Sequence, residues 1–151
     1  MLMGDKGTAT RERILEVALQ LFQHKGFGGT SISDILGSAG IKKGTLYFHF
    51  TSKDEIGFTV LKRANSELSA FLDNVLAGDT VLDKLDSYFF GILESQRRLK
   101  FVGGCIFGNA ALEMSDSNEA YADYIGQVFE QWIETIRGIV AAGQSSGDIR
   151  G

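Results

Sequence analysis

An all-α fold is predicted by three features of the 151-residue sequence: proline is absent, aromatic residues are plentiful, and apolar side chains recur at helical spacing in seven separate stretches. Proline damages a helix interior more than any other residue, so its absence leaves room for long uninterrupted helices. The length suits one or two small units with a real but modest core. One cysteine, Cys105, excludes an intrachain disulfide and a thiolate zinc cage. The start, Met-Leu-Met-Gly-Asp-Lys, turns polar at once, and no later apolar run reaches the ~18 residues of a membrane span. A soluble, cytoplasmic protein with no membrane partner is expected.

Helix one is predicted from Thr10, a plausible N-cap, to Lys25, because Ile14, Leu15, Ala18, Leu21 and Phe22 share one face. The cluster Gly26-Phe27-Gly28-Gly29 ends it. A phosphate cradle is a poor reading of these glycines, since no strand precedes them and no Gly-Lys-Ser/Thr follows. Ser31 and Asp34 have capping-box spacing ahead of Ile32, Ile35 and Leu36, so a brief helix two ends at Ala39-Gly40. Helix three runs through Lys42-Lys43-Gly44-Thr45-Leu46-Tyr47-Phe48-His49-Phe50, with Leu46 and Phe50 four apart on one face.

Ser52 and Glu55 offer a second capping box, opening a long helix four through Ile56, Val60, Leu61, Ala64, Leu68, Phe71, Leu72 and Val75, halted at Gly78. Thr80 and Asp83 start helix five, which Arg97-Arg98-Leu99-Lys100 closes with base. A glycine-rich loop at 103–109 enters a short helix six ending near Met114. Helix seven begins around Asp116 and Glu119 and carries the clearest amphipathic stripe, from Tyr121 to Val140. Residues 143–151 are polar and glycine-rich, and no structured finish is expected there.

The formal net charge of -4 hides two unlike parts. Residues 6–53 carry seven Lys/Arg against three acids, whereas 54–151 carry eight against fifteen. A polyanion would prefer the front end. Two short helices joined at Gly40 and braced by a longer one are the parts of a helix-turn-helix reader, whose second short helix enters the major groove. Lys42, Lys43, Thr45, Tyr47 and His49 can then reach phosphates or base edges while Leu46 and Phe50 face inward, and Gly44 permits close approach.

Residues 10–55 resemble the DNA-binding domain of the tetracycline-repressor (TetR) family. The resemblance rests on Ile14-Leu15, Ala18, Phe22, Gly26-Phe27, Thr30, Ile35, Ala39-Gly40-Ile41, Lys43 through Phe50, and Lys53-Asp54-Glu55. Gly104-Cys105-Ile106-Phe107-Gly108-Asn109 followed by Ala111-Leu112-Glu113 is similar to a segment in one branch of the family. The resemblance implies a DNA-binding domain over 1–51 and a helical regulatory domain over 52–151 that lacks the family's last two helices. It further implies that Thr30 and Ser31 touch phosphate at the start of helix two, and that Lys43, Gly44 and Thr45 supply base and backbone contacts. Tyr47, His49 and Lys53 would hold flanking phosphates. Thr30 and Ser31 serve equally well as caps, Tyr47 as a core edge and His49 as a plain surface residue. At Lys42 the family usually has a small hydroxyl residue; a cation there disfavours the free helix by a few tenths of a kcal/mol, roughly.

The second unit is expected to sense a small-molecule effector, because the aromatics after residue 80 exceed what a compact bundle needs. Tyr88, Phe89, Ile92, Phe107, Tyr124 and Trp132 would line the pocket, with Asn109 as polar anchor and Cys105 as a polarizable wall residue. Read singly, each of these is also an ordinary core residue. The resemblance implies a homodimer on a palindromic double-stranded operator, acting as a repressor released by its effector; a chain ending at Gly151 would have to pair through another surface, such as helix seven. The rival class is a helical small-molecule binder or enzyme that never meets DNA. His24, His49 and Cys105 lie far apart in sequence, and no Cys/His metal spacing or cofactor loop occurs, so no catalytic residue, metal or cofactor is expected. A nonspecific architectural DNA protein conflicts with a pI of about 5.1.

Overall fold

The computed structural model describes residues 3–76 and 78–150, and among them the chain forms seven helices. These are α1 (Met3–Lys25), α2 (Ile32–Ala39), α3 (Lys43–His49), α4 (Lys53–Leu76), α5 (Val81–Arg98), α6 (Ile106–Met114) and α7 (Glu119–Ser146). Helix α1 packs on α2 and α4, α4 continues onto α5, and α7 lies against α5 and α6. Helix α6 also touches α1 and α4, which ties the two ends of the fold together. No described helix is long and apolar enough to cross a membrane.

Apolar spacing decides which faces meet. Ile14, Ala18 and Phe22 of α1 join Ile35 of α2, Leu46 at the underside of α3, Phe50 beside it, and Ile56 and Val60 of α4. Each of these larger side chains, fully buried, contributes about 1.5–3 kcal/mol, and the Ala18 methyl about 0.8 kcal/mol. The same cluster runs on through Phe107 and Ala110 to Tyr121, Ile125 and Val128, so a single core passes under the expected boundary at residues 51 and 52. A smaller cluster of Leu72, Val75 and Tyr88 closes the far end. Where α4 crosses α7, Gly57 is buried, and a Cβ there would run into the Phe27 ring and the Tyr121 hydroxyl. Glycine is required by that close approach.

Caps set most boundaries. Ser31 and Asp34 form a reciprocal capping box on α2, and Thr80 and Asp83 form another on α5. Gly40 ends α2 in the left-handed region at φ 62, its N–H reaching back to Gly37 and Leu36 carbonyls. Four sequence expectations are corrected. Helix α1 starts at Met3 rather than at Thr10, whose hydroxyl donates back to the Lys6 carbonyl inside the helix instead of capping it. Ser52 accepts the Glu55 N–H, but the Glu55 carboxylate closes on the N–H and hydroxyl of Thr51, one residue earlier than a capping box requires. Helix α7 is capped by the Asn118 side chain, leaving Asp116 outside. It also continues past Gly143 to Ser146, where Gly147 turns the chain so that the Ile149 N–H meets the Gly143 carbonyl. Ile149 packs on the bare Gly143 backbone, which gives the polar tail a structured end.

Candidate nucleic-acid interface

Helix α3 is positioned by its buried underside. Leu46 and Phe50 are almost wholly buried, which turns Lys42, Lys43, Gly44, Thr45 and Tyr47 outward as exposed residues with His49 at the edge. The Lys43 ammonium sits 5.8 Å from the centre of the Tyr47 ring, one turn on. Lys42 occupies the N-cap position in extended conformation and its side chain makes no capping bond. The amide end of α3 therefore lacks an internal partner of the kind that Ser31 supplies to α2. Ser31 is exposed beside this face at the start of α2. Arg11, which sequence reasoning passed over, holds its guanidinium 5.0 Å from the Phe50 ring centre and braces the end of α3.

Two expected phosphate contacts are turned inward instead. Thr30 is 1% exposed, and its hydroxyl donates to the Gly26 carbonyl at 2.7 Å. The Lys53 ammonium donates to the carbonyls of Phe27 and Thr30 at 2.9 and 3.0 Å and lies 4.6 Å from the Phe27 ring centre. The physical reason is shared: the glycine turn after α1 leaves carbonyls without helical partners, and these two side chains are the donors that satisfy them. Lys25 pairs with Asp34 at 2.7 Å, and that bond, with the Ser31 hydroxyl and N–H, holds the Asp34 carboxyl well below the usual carboxylate range.

Above this unit a cavity of about 580 Å³ opens among α1, α4, α5, α6 and α7. Of the eight residues proposed from the sequence for a pocket, Ile92, Cys105, Phe107 and Trp132 line this cavity. Four expected residues do not. Tyr88 belongs to the small far cluster, where burial raises its pKa against the opposing effect of the Trp132 indole. Phe89 is 62% exposed on the outer side of α5. Tyr124 packs on Phe58 at 5.0 Å between ring centres. Asn109 spends its amide on the Gly103 carbonyl at 2.6 Å and faces a separate narrow crevice. The cavity instead draws Leu19 and Gln23 from α1 and Ala64, Leu68 and Phe71 from α4, helices read only for their core stripes. Phe90, counted among the surplus aromatics, is its remaining ring from α5.

Two hydrogen bonds tie α6 to the glycine turn after α1 and α7 to the first turn of α4. Glu113, near the end of α6, accepts the Gly28 N–H at 2.8 Å, and the Tyr121 hydroxyl of α7 donates to the Asp54 carbonyl at 2.9 Å. Burial and then the nearby Asp54 charge push the Tyr121 phenol far above its ordinary value, so it stays a donor. No group of three or more His, Cys, Asp or Glu capable of holding a metal occurs among the described residues.

The family model for bacterial regulatory proteins of the tetR family matches residues 14–57, and that for the tetracyclin repressor-like C-terminal domain matches 81–151. The HTH-type transcriptional repressor DhaR of Mycobacterium sp. (strain GP1) is 30% identical over 145 residues, covering 95% of this chain and 71% of DhaR. A TetR transcriptional regulator from Chloroflexus aurantiacus superposes with a TM-score of 0.81 at 33% identity, covering 95% of this chain and 73% of that one. The reduced form of Escherichia coli NemR superposes with a TM-score of 0.78 at 25% identity, covering 91% of this chain and 73% of that one. With both models matched in chain order on a fold that presents α3 as described, the chain belongs to the tetR family, whose members are DNA-binding transcriptional regulators and not enzymes.

Proposed function

We propose that the protein is a cytoplasmic repressor that binds a palindromic operator as a homodimer, placing one α3 in the major groove of each half-site. The observation that carries this reading is the pairing of a fully buried α3 underside with an outward face of Lys42, Lys43, Gly44, Thr45 and Tyr47 and His49 beside it. Ser31 stands beside that face at the start of α2, but its N–H and hydroxyl already donate to the Asp34 carboxylate, so it reaches a phosphate only if that capping box opens. Thr30 and Lys53 act indirectly, by holding the glycine turn that sets the angle between α1 and α2. The repressor names of DhaR and NemR support the sign of the output.

The cavity is the effector site, large enough for a small, mostly apolar molecule. Helix α6 connects it to the reader: Ile106 and Phe107 line the cavity, and Glu113 two turns on holds the Gly28 amide. A molecule that prefers a displaced α6 must lower operator affinity by linkage.

Selection of bound duplexes from a random pool tests the reading of DNA. Inverted half-sites centred about one helical turn apart, or a multiple of it, are expected; a pool that stays random after several rounds overturns it. Trp132 is the only tryptophan and lines the cavity, so its emission reports occupancy when apolar aromatic compounds are titrated in. Compounds that shift the emission are expected to release the selected duplex. Release by none of them refutes the cavity as a switch.

A further inference from the structure

Phe48 has no role in the contacts argued above, yet it is 83% exposed. Leu46 and Phe50 fix the buried side of α3. With about 100° between successive residues of a helix, the direction opposite that side belongs to Gly44 and Phe48. Gly44 has no side chain, and nothing lies within 4 Å of where its Cβ would stand. Phe48 is therefore the side chain that most directly opposes the core on the face aimed at DNA. Its ring rests edge-on against His49, with centroids 5.1 Å apart.

The neighbours of Phe48 on this face carry polar atoms that can meet phosphates or base edges; a phenyl ring carries none. A single exposed apolar side chain is ordinary on a protein surface, but this one stands at the centre of the face that a DNA groove would cover, where its burial would contribute to binding. In the major groove, the apolar group that a base edge presents is the thymine C5-methyl. We propose that Phe48 is a specificity-determining residue that packs on one thymine methyl in each half-site. The inference rests on the reading of α3 as the groove-entering helix and adds a preference that hydrogen bonding alone would not give.

The test uses the full chain and the duplex recovered by selection. Each thymine of the half-site is replaced in turn by deoxyuridine, which removes the methyl and keeps the base pair. At one position per half-site the wild type should lose affinity by about fourfold, the worth of one buried methyl-sized group. In Phe48→Ala that penalty should vanish, while penalties from phosphate neutralisation persist. Phe48 is exposed, so circular dichroism of the variant should match the wild type; Phe48→Leu, which keeps an apolar side chain, should retain part of the penalty. A consensus without any uracil-sensitive position, or an equal penalty in Phe48→Ala, overturns this inference and leaves the DNA reading standing. A pool with no consensus overturns both.

Discussion

Replacing Lys42 with serine should move folding stability and DNA affinity in opposite directions. Lys42 stands at the N-cap of α3 in extended conformation without a side-chain bond to the helix. Serine there can accept the N–H of Gly44, that of Thr45 being already bonded to the carbonyl of residue 42, a gain of about 1 kcal/mol. Removing a cation from the positive end of the helix dipole adds about 0.3 kcal/mol or more. For a chain of this length the two together raise Tm by roughly 3–5 °C. DNA binding responds the other way, because each phosphate neutralised contributes about 0.9 to the slope of log affinity against log salt. Between 50 and 200 mM salt the wild type should lose about 3.5-fold more affinity than Lys42→Ser for each bound protomer, or about 12-fold for a dimer. Thermal unfolding followed by circular dichroism checks the first half, and fluorescence anisotropy of a labelled operator at a series of salt concentrations checks the second. Parallel salt slopes would remove Lys42 from the phosphate contacts; an unchanged Tm would refute the capping argument.

Lys53→Met should cost about 2 kcal/mol of stability, because the ammonium satisfies two carbonyls of the glycine turn, and should leave the salt slope of operator binding unchanged. Urea unfolding and the same anisotropy series measure both, and a slope lower by about one would instead put Lys53 on a phosphate. Gly57→Ala forces a methyl against Phe27 and Tyr121 in a filled core, so a loss of about 1–3 kcal/mol is expected, read as a drop in Tm; an unchanged Tm would show that α4 and α7 separate there freely. Asp34 is held ionised chiefly by Lys25 and then by Ser31, so its folded pKa lies below its ordinary value near 3.8. A depressed folded pKa gives stability that is fully present above the unfolded value and is lost as pH falls below it toward the folded one. The Tm of the wild type should therefore fall more steeply below pH 3.8 than that of Asp34→Asn, and superimposable pH profiles would remove Asp34 from the acid response.

Helix number and order, the caps at Ser31 and Thr80, and the inward turn of Leu46 and Phe50 were all legible in the sequence, because each depends on residues within a turn or two of one another. The outward face of α3 was legible for the same reason: once Leu46 and Phe50 are assigned to the core, helical geometry fixes where Lys43, Thr45 and Tyr47 point. Thr10 misled because a threonine inside a helix can bond back to the carbonyl four residues earlier as readily as it can cap.

Tertiary structure alone decided which polar groups were already occupied and which apolar ones faced open space. Thr30 and Lys53 have the composition of phosphate ligands, but the carbonyls that claim them belong to a turn whose path depends on how α1, α2 and α4 meet. Asn109 lost its expected place in the cavity to a carbonyl six residues earlier, and Tyr88, Phe89 and Tyr124 point to three different surroundings although all are aromatics on α5 or α7. A cavity is the space that several helices fail to fill, so no single helix's periodicity encodes it. Its walls at Leu19, Leu68 and Phe71 became visible only when five helices stood in their final positions.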